Sequence, residues 1–288
     1  MNIKRAQTLK LLFGSLVIIA AVLLVVIFGR PQASGDLKVY FLDVGQGDAE
    51  YIKNPDGTDI LIDGGPDQSV LSELGKVMDF GDREINLVIL THPHADHVTG
   101  LVEVLGRFQI DEVWETKVEY PSATYDSWQN KIKDKNIPDK LVVAGETRNF
   151  GEVKIEVLYP LSPLENRRID NLNNASIVNR LEYKKFSVLF TGDAEKEVLG
   201  KLLAQNTDAI HVTVLKVSHH GSSTGITEDF LKVVRPAIAV ISSGKDNKYG
   251  HPAASTINLL KSYAVRIFRT DQNGTVEINS DGEGYWVK

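Results

Sequence analysis

Cysteine is absent from the 288 residues of this chain, and methionine occurs only twice. Disulfide frameworks, thiolate metal sites and cysteine nucleophiles are therefore excluded, which leaves imidazole and carboxylate groups as the candidate metal ligands. The absence of cysteine also fits an oxidising compartment, because no free thiol is exposed there.

Acidic residues are missing from the first 35 positions, whereas the part from Asp36 onward holds all 38 of them. This part carries 28 of the 32 basic residues, so its net charge is −10. A negatively charged body does not predict binding of a polyanion over its whole surface. Any contact with nucleic acid must then depend on a local basic patch or on a metal site.

The stretch from Leu11 to Gly29 contains no charged residue and follows three cations. Its length matches the roughly 20 apolar residues that cross a bilayer. We predict a cytoplasmic tail over residues 1–10, an uncleaved anchor over 11–29 and a linker over 30–36. A cleaved signal peptide is the alternative, although its apolar core is usually about 7–15 residues long. Because more cations precede the span than follow it, the body is expected outside the cytoplasm, at the cell membrane.

Strand-like apolar runs alternate with amphipathic helical stretches over residues 37–288, without a low-complexity segment. The runs LKVYFLDV, AEYIK and DILID predict an antiparallel meander, because turn sequences separate them. INLVIL predicts a buried strand, and the second half shows a similar alternation of strands and helices. We therefore predict one α/β domain over residues 37–288, with two mixed sheets face to face and helices outside.

The segment THPHADHVTG places three of the seven histidines directly after the INLVIL strand. His92 and His94 point the same way in an extended segment, while Asp96 and His97 begin a helix. Imidazole and carboxylate groups together suit zinc, manganese or iron better than calcium or magnesium. Burying so many imidazoles without a metal leaves costly unpaired polar groups. The segment therefore predicts a metal site.

Two later strand ends supply further ligands, because four clustered groups cannot close the coordination spheres of two cations. Asp193 follows the run LFTG, and the pair His219 and His220 follows LKVS. Asp193 alone is equally well explained as a helix N-cap. Its place after a second apolar run, with SHHGSS after a third, favours a metal-bridging carboxylate.

Taken together, these motifs resemble the metallo-β-lactamase superfamily, and within it the hydrolase domains of ComEC-type DNA-uptake proteins. The resembling segments cover nearly everything after the predicted linker: FLDVGQGDA, LIDGG, THPHADHVTGL, NNASIV, LFTGDAE, LKVSHHGSSTG and ISSGKDNKYGHP. The H-x-H-x-D-H element is specific to the superfamily, and DVGQGD and SHHGS narrow the resemblance to this branch. It implies a four-layer αβ/βα sandwich that holds two divalent ions, zinc or manganese.

The resemblance also implies a role for each ligand. His92 and His94 hold one ion, Asp96 and His97 hold the other, and Asp193 bridges the two.

One member of the histidine pair completes the second ion's shell. His219 is favoured as the ligand, which leaves His220 beside the substrate. The candidate catalytic residues are then Asp96, His220 and His251. For His251, a hydrogen bond or proton for the substrate is the functional interpretation, and a surface loop histidine is the alternative.

Residues around the histidine segment are implied to support it. Asp63 resembles the superfamily's buried aspartate that holds this loop. Asp43 and Asp48 shape the same region, or Gly45 and Gly47 simply mark a tight turn.

The chain departs from the superfamily pattern in NLNNASIV, where most members have a further histidine. Asn174 or Ser176 is expected to reach the metal or the substrate instead, which favours a weak first site or a harder cation such as Mn²⁺. Weaker candidates for contacts with an anionic substrate come later in the chain: Ser242, Ser243, Lys245 and Asn247.

The resemblance implies a membrane-anchored binuclear hydrolase, with a phosphodiester of nucleic acid or of a cell-wall polymer as the expected substrate. Two cations about 3.5–4 Å apart can hold a bridging hydroxide, so no serine or cysteine nucleophile is required. The alternatives are hydrolysis of a lactam, lactone or thioester, and a tethered binding module whose metal site has decayed. The expected partners are the membrane and the substrate, and no obligate protein partner is indicated.

Overall fold

The computed structural model describes residues 35–205 and 210–288, together with Phe13. Apart from Phe13, the predicted tail and anchor lie outside the described residues, as does most of the predicted linker. Among the residues that are described, no helix is both long and apolar enough to cross a membrane. The residues from Asp36 to Lys288 form one compact unit.

Two large mixed sheets and a small third sheet make up the strand framework of this unit. The described residues form seventeen strands: β1 (Leu37–Phe41), β2 (Glu50–Lys53), β3 (Asp59–Ile62), β4 (Glu84–Ile85), β5 (Leu87–Ile89), β6 (Gln109–Ile110), β7 (Val113–Glu115), β8 (Asp139–Leu141), β9 (Thr147–Phe150), β10 (Val153–Tyr159), β11 (Val178–Tyr183), β12 (Phe186–Phe190), β13 (Val214–Lys216), β14 (Ile238–Ile241), β15 (Arg266–Arg269), β16 (Val276–Ser280) and β17 (Tyr285–Val287).

Helices connect most of the parallel strands. The described α-helices are α1 (Ser69–Val77), α2 (Ala95–Arg107), α3 (Ala123–Asp134), α4 (Lys196–Gln205), α5 (Glu228–Val234), α6 (Ala254–Ser262) and α7 (Thr270–Asn273). The described residues also form two 3₁₀ turns. Leu172–Ala175 follows the loop after β10, and Ser218–Gly221 follows the end of β13.

The first sheet has the order β17-β16-β1-β2-β3-β5-β7-β8, and the second has the order β15-β14-β13-β12-β11-β10-β9. Strands β1, β2 and β3 pair antiparallel, as the turn sequences predicted. Strands β3, β5, β7 and β8 pair parallel, as do β12, β13, β14 and β15. Parallel neighbours need a crossover connection, and α1 to α6 supply these crossovers.

Three apolar layers hold the sheets and helices together. Side chains alternate along a strand, so Val39 and Phe41 enter the core between the two sheets. Their neighbours Tyr40 and Leu42 enter a second core, which also includes buried residues of α1, α2 and α3. A third core lies between the second sheet and helices α4, α5 and α6. This arrangement confirms the predicted four-layer αβ/βα sandwich.

The topology also decides where a site can form. Strands β3, β5, β12, β13 and β14 each have at least one parallel neighbour, and a loop or a helix start follows each carboxyl end. Such ends are the usual place of ligand binding in open α/β sheets. The segments that carry Asp63, residues 91–97, Asp193 and residues 218–221 all follow these strand ends.

Candidate metal centre

The histidine segment joins strand β5 to helix α2. His94 has an extended backbone and stands at the N-cap position, so the helix begins at Ala95 and places Asp96 in its first turn. A carboxylate in the first turn is favoured by the helix dipole. A side chain at Gly100 would collide with the backbone carbonyl of Gly64. Only glycine therefore allows the start of α2 to lie this close to the loop after β3.

A first group of candidate ligands contains His92, His94 and Asp193, whose ligand atoms lie within 4.8 Å of one another. The Nε2 atom of His92 is 2.9 Å from Nδ1 of His94. On its other side, Nδ1 of His92 lies 3.1 Å from the hydroxyl of Thr91 and 3.3 Å from that of Ser176. These two hydroxyls orient the ring so that Nε2 faces the group.

A second group contains Asp96, His97, Asp193 and His220. The Oδ2 atom of Asp193 lies 3.4 Å from Nε2 of His97 and 3.6 Å from Nε2 of His220. The Nε2 atom of His220 is also 3.3 Å from Oδ2 of Asp96. Asp193 belongs to both groups, and this shared position is the one that the sequence analysis expected for it.

The histidine pair differs from the expectation, because His220 and not His219 joins the second group. His220 is 2% exposed, and its Nδ1 lies 3.1 Å from the carbonyl of Ser242, to which it can donate a hydrogen bond. His219 is 23% exposed, and its Nδ1 lies 3.3 Å from a carboxylate oxygen of Glu195. Both histidines have a left-handed backbone, with φ of 50° and 52°, which is uncommon for residues other than glycine. This turn directs the second histidine inward.

Asp63 holds the histidine segment in place through hydrogen bonds to Thr91 and a contact with His97. Its carboxylate accepts hydrogen bonds from the backbone N–H of Thr91 at 2.8 Å and from the Thr91 hydroxyl at 2.6 Å. The same carboxylate lies 2.7 Å from Nδ1 of His97. A carboxylate at Nδ1 fixes the tautomer and the direction of a histidine whose Nε2 binds a metal.

Lys216 was missed by the sequence analysis. It is 1% exposed, and its ammonium contacts the carboxylate of Asp48 and the carbonyl of Gly192, the latter at 3.2 Å. Burial lowers the pKa of Lys216, but the carboxylates of Asp48 and Glu50 raise it above its ordinary value, so the side chain is charged. Asp48 in turn lies 3.2 Å from Nδ1 of His220. The available signal was a lysine inside the apolar run VTVLKVS.

We expect Lys216→Met to destabilise the protein by about 3 kcal/mol, because removing one partner of a buried ion pair leaves the other charge uncompensated. Urea unfolding, followed by circular dichroism, measures this change in the free energy of unfolding. The matched control is Lys133→Met, at an exposed position of α3, where a change within about 0.5 kcal/mol is expected. Equal effects of the two substitutions would contradict the structural role given to Lys216.

Burial and nearby charges shift the pKa values of His92 and His97 in opposite directions. Burial and the neighbouring His97 hold the pKa of His92 well below its ordinary value, so His92 is neutral. Burial also lowers the pKa of His97, but the carboxylates of Asp193 and Asp63 outweigh this effect and raise that pKa well above the ordinary value. Against burial, His220 and His97 hold the pKa of Asp193 well below its ordinary value. The ionised carboxylate of Asp193 and the neutral imidazole of His92 can therefore bind a cation directly, whereas His97 must release a proton to do so.

Three buried polar atoms indicate that a cation fits here. Nε2 of His97, Nε2 of His220 and Oδ1 of Asp193 have no hydrogen-bond partner within the described part of the chain. A buried polar atom left without a partner costs about 1–3 kcal/mol. All three residues belong to the second group, and nitrogen and carboxylate oxygen are ligand atoms of zinc and manganese. The residues present therefore fit divalent metal binding.

Two residues of the segment NLNNASIV, Ser176 and Asn174, contact different parts of the site. Ser176 accepts a hydrogen bond from the backbone N–H of Asp193 at 3.1 Å and lies beside His92, so it positions two candidate ligands. Asn174 donates to Glu197 at 3.0 Å and accepts from the backbone N–H of Glu195 at 3.1 Å. Of the two residues expected to reach the metal or the substrate, Ser176 is therefore the one in contact with candidate ligands.

Two other predicted residues also lie apart from both groups. The backbone N–H of Asp43 donates to Thr275 at 2.9 Å, and its carboxylate is 3.4 Å from the N–H of Gly45, which fits the alternative of a tight turn. Ser243 is fully buried and exchanges backbone hydrogen bonds with the hydroxyl of Thr270 at 2.9 and 3.1 Å. Its backbone holds the loop after β14, and its position does not support a substrate contact.

A cleft of about 340 Å³ opens over the two groups and includes His251 in its lining. The ring of His251 lies 5.4 Å from that of His219. Burial and the two histidines His219 and His220 lower the pKa of His251, so its imidazole is neutral and can donate or accept a hydrogen bond. Other lining residues were not predicted from the sequence: Gln46, Tyr120, Asn173 and Tyr249.

Competence proteins are among the relatives of this chain. ComE operon protein 3 of Bacillus subtilis is 29% identical over 277 residues, which are 90% of this chain and 35% of the relative. Recombination protein 2 of Haemophilus influenzae is 29% identical over 285 residues, which are 96% of this chain and 32% of the relative. Competence protein ComA of Neisseria gonorrhoeae is 26% identical over 251 residues, 86% of this chain and 33% of the relative. The chain thus spans about a third of the length of these relatives.

Solved structures share the fold at low sequence identity. The metallo-beta-lactamase fold protein YhfI from Bacillus subtilis superposes with a TM-score of 0.57 at 13% identity, covering 84% of this chain and 100% of YhfI. Igni18, a metallo hydrolase from Ignicoccus hospitalis, gives a TM-score of 0.53 at 14% identity, covering 83% of this chain and 98% of Igni18. The sequence model of the metallo-beta-lactamase superfamily matches residues 42–245. Because this match covers more than two thirds of the chain, the protein belongs to the metallo-beta-lactamase superfamily.

Proposed function

We propose that this protein is a membrane-anchored phosphodiesterase that works with two divalent cations. Superfamily membership and the two groups of candidate ligands support a metal-dependent hydrolase. The observation that carries the proposal is that Asp193 belongs to both groups, beside nitrogens of His97 and His220 that make no hydrogen bond within the described residues. The proposal keeps the single-pass anchor over residues 11–29, with the folded unit outside the cytoplasm.

The ligands divide between two cations, either zinc or manganese. His92 and His94 would hold the first cation. The second would be held by Asp96, His97 and His220, and Asp193 would serve both. When bound, such cations supply a water of lowered pKa and offset the charge that develops on a phosphoryl oxygen.

The chain's own residues keep these ligands in place and contact the substrate. Asp63 and the carbonyl of Ser242 hold the Nδ1 sides of His97 and His220, so that Nε2 of each ring faces the group. His251, neutral and in the lining of the cleft, donates a hydrogen bond to the substrate at the reacting phosphate. His219 stands at the partly exposed edge of the same cleft, held by Glu195.

A phosphodiester is favoured over a lactam for two reasons. The loop after β14 brings Lys245 and Lys248, both exposed, next to the cleft-lining residues Tyr249 and His251, and cations suit an anionic substrate. Relatives of this chain include proteins named for competence and recombination. These names concern DNA, and they support nucleic acid before a cell-wall polymer as the substrate class.

Turnover of two phosphodiesters tests the proposal. The purified protein is incubated with single-stranded DNA and with bis(p-nitrophenyl) phosphate, with added Mn²⁺ or Zn²⁺, with a chelator, and as the His92→Ala variant. Metal-dependent hydrolysis of both, lost with the chelator and strongly reduced in the variant, is expected. No metal-dependent turnover of either substrate would overturn the proposal, and hydrolysis of nitrocefin in its place would identify a lactam hydrolase.

A further inference from the structure

We propose that the loop of residues 244–252 holds a base-binding subsite, in which the ring of Tyr249 stacks on a nucleobase of a single-stranded nucleic acid. This inference rests on the proposed phosphodiesterase function and narrows its substrate class. It assigns the cleft to nucleic acid and excludes a polymer whose repeating units carry no aromatic ring.

The first observation is the exposure of Tyr249 at the cleft. Its side chain is 59% exposed, although it lines the same cleft as Asp193 and His251. Large aromatic side chains are normally highly buried, because they contribute most when their area leaves water. An aromatic ring that stays open to solvent beside candidate metal ligands is available to a ligand.

The second observation is a run of rings that leads from the metal groups to the surface. The rings of His220 and His251 are 6.3 Å apart with an interplanar angle of 29°. The rings of His251 and Tyr249 are 5.9 Å apart at 24°. Aromatic rings at such separations adopt offset stacks. A nucleobase that stacks on Tyr249, with the flexible Lys248 side chain moved aside from over the ring, continues this run at the surface.

The third observation is the charge of the same loop. Lys248 has its ammonium 5.1 Å from the centre of the Tyr249 ring, and Lys245 lies exposed four residues before that tyrosine. Asp246 offsets one of these two charges, so the loop remains net positive on a body whose net charge is −10. Proteins that bind single strands without sequence preference combine cations for the backbone with aromatic rings for the bases.

The loop is also held in a fixed conformation. The side-chain oxygen of Asn247 accepts from the backbone N–H groups of Tyr249 and His251, at 3.2 and 3.0 Å. Its amide donates to the carbonyls of Gly244 and His251, at 2.9 and 2.6 Å. A side chain at Gly244 would begin 2.7 Å from the backbone nitrogen of Gln46, so the loop also packs closely on the turn after β1. A preformed loop loses little entropy when a ligand binds.

An aromatic platform of this kind distinguishes between the two expected substrate classes. Every nucleobase has a π-face, so stacking on tyrosine tolerates any base sequence. A sugar-phosphate or polyol-phosphate chain has no π-face and gains less from the ring than a nucleobase does. A duplex keeps its bases stacked inside, so the platform favours single strands.

Two oligomers of equal length and charge test the inference. One is a single-stranded thymidine oligomer, and the other carries tetrahydrofuran abasic units throughout. The wild-type protein is expected to prefer the base-containing oligomer by about 10-fold in kcat/KM, from the usual contribution of one stacked base. In Tyr249→Ala this ratio is expected to fall to within about twofold of unity, whereas Tyr249→Phe keeps most of it because the ring remains. The matched control is Tyr285→Ala, which removes an exposed tyrosine of strand β17 and is expected to keep the wild-type ratio.

A wild-type ratio near unity, or an undiminished ratio in Tyr249→Ala, would overturn the inference while leaving the proposed function standing. The affinity of each oligomer, measured by fluorescence anisotropy with Mn²⁺ present, separates the two claims further. If neither oligomer is cleaved, the proposed function fails. The affinities then still decide whether the subsite exists. Tighter binding of the base-containing oligomer by the wild type, lost in Tyr249→Ala, would support it, and equal binding of the two oligomers would overturn it.

Discussion

Asp193→Asn is expected to lower metal-dependent hydrolysis by at least about 10³-fold, since even residues that only support metal ligands contribute about 10–100-fold. The Oδ2 atom of Asp193 faces His97 and His220 at 3.4 and 3.6 Å and His92 at 3.9 Å. Asparagine keeps the size of the side chain but removes the negative charge that both proposed cations share. Elemental analysis of the variant should accordingly show less bound metal than the wild type. Steady-state kinetics on bis(p-nitrophenyl) phosphate measures the loss of activity.

The matched control for this substitution is Asp126→Asn, at an exposed aspartate of helix α3. It should keep full activity and full metal content. Circular dichroism confirms that both variants are folded. An Asp193→Asn protein that is folded, binds the wild-type amount of metal and retains more than about a tenth of the activity would show that Asp193 is no ligand.

His220→Ala and His219→Ala are expected to differ sharply, although the two histidines are neighbours in sequence. His220 is buried with Nε2 near Asp96 and Asp193, so its loss should cost at least about 10²-fold in activity and one of the two bound cations. His219 is partly exposed and contacts Glu195, so its loss should cost about 10-fold or less and leave the metal content unchanged. Metal content and kcat/KM, measured on both variants, give the comparison.

Each variant of this pair serves as the control of the other, since the substitution and the local backbone are the same. The opposite order, with metal lost from His219→Ala and kept in His220→Ala, would return the ligand role to His219. The sequence analysis favoured that assignment, and the backbone turn at residues 219–220 is the reason for the change.

Much of the fold could be predicted because period-two and helical apolar patterns are strong in it. The meander from β1 to β3 and the strands and helices from β10 to β17 follow such patterns. Residues 111–150 carry no clear apolar pattern, yet they form β7, α3, β8 and β9. Helix α3 is rich in charged residues, and β8 has no fully buried residue. Tertiary contacts decide these elements.

Glu115 illustrates why the apolar pattern of residues 111–150 does not predict helix α3. Its carboxylate is buried and accepts hydrogen bonds from the hydroxyl of Tyr125 at 3.1 Å, the indole of Trp128 at 3.3 Å and the amide of Gln129 at 2.8 Å. Buried glutamates are rare unless their oxygens are paired. A helix attached to its sheet through a buried carboxylate leaves only a weak apolar signal in the sequence.

The site likewise combines residues that are close in sequence with residues that are distant in sequence. Residues 92–97 are contiguous, so the sequence alone places their side chains together. Asp193 and the histidine pair come from the second sheet, and their strand-end positions sufficed to bring them to the same edge. The choice within the pair could not be predicted, because the two neighbouring histidines share a left-handed backbone turn, line the same cleft and differ in which of them joins the second group. Lys216 was missed because lysine is almost never fully buried, although its place inside the apolar run VTVLKVS was a signal.

The number of divalent cations bound by the purified protein tests the central claim most directly. Equilibrium dialysis against Mn²⁺ or Zn²⁺ near neutral pH, followed by elemental analysis, gives this number for the wild type and for Asp193→Asn. We expect about two cations per chain in the wild type, the usual content of a two-metal hydrolytic site, and fewer in the variant. A wild-type protein that binds no more cation than the variant would contradict a metal centre built on Asp193.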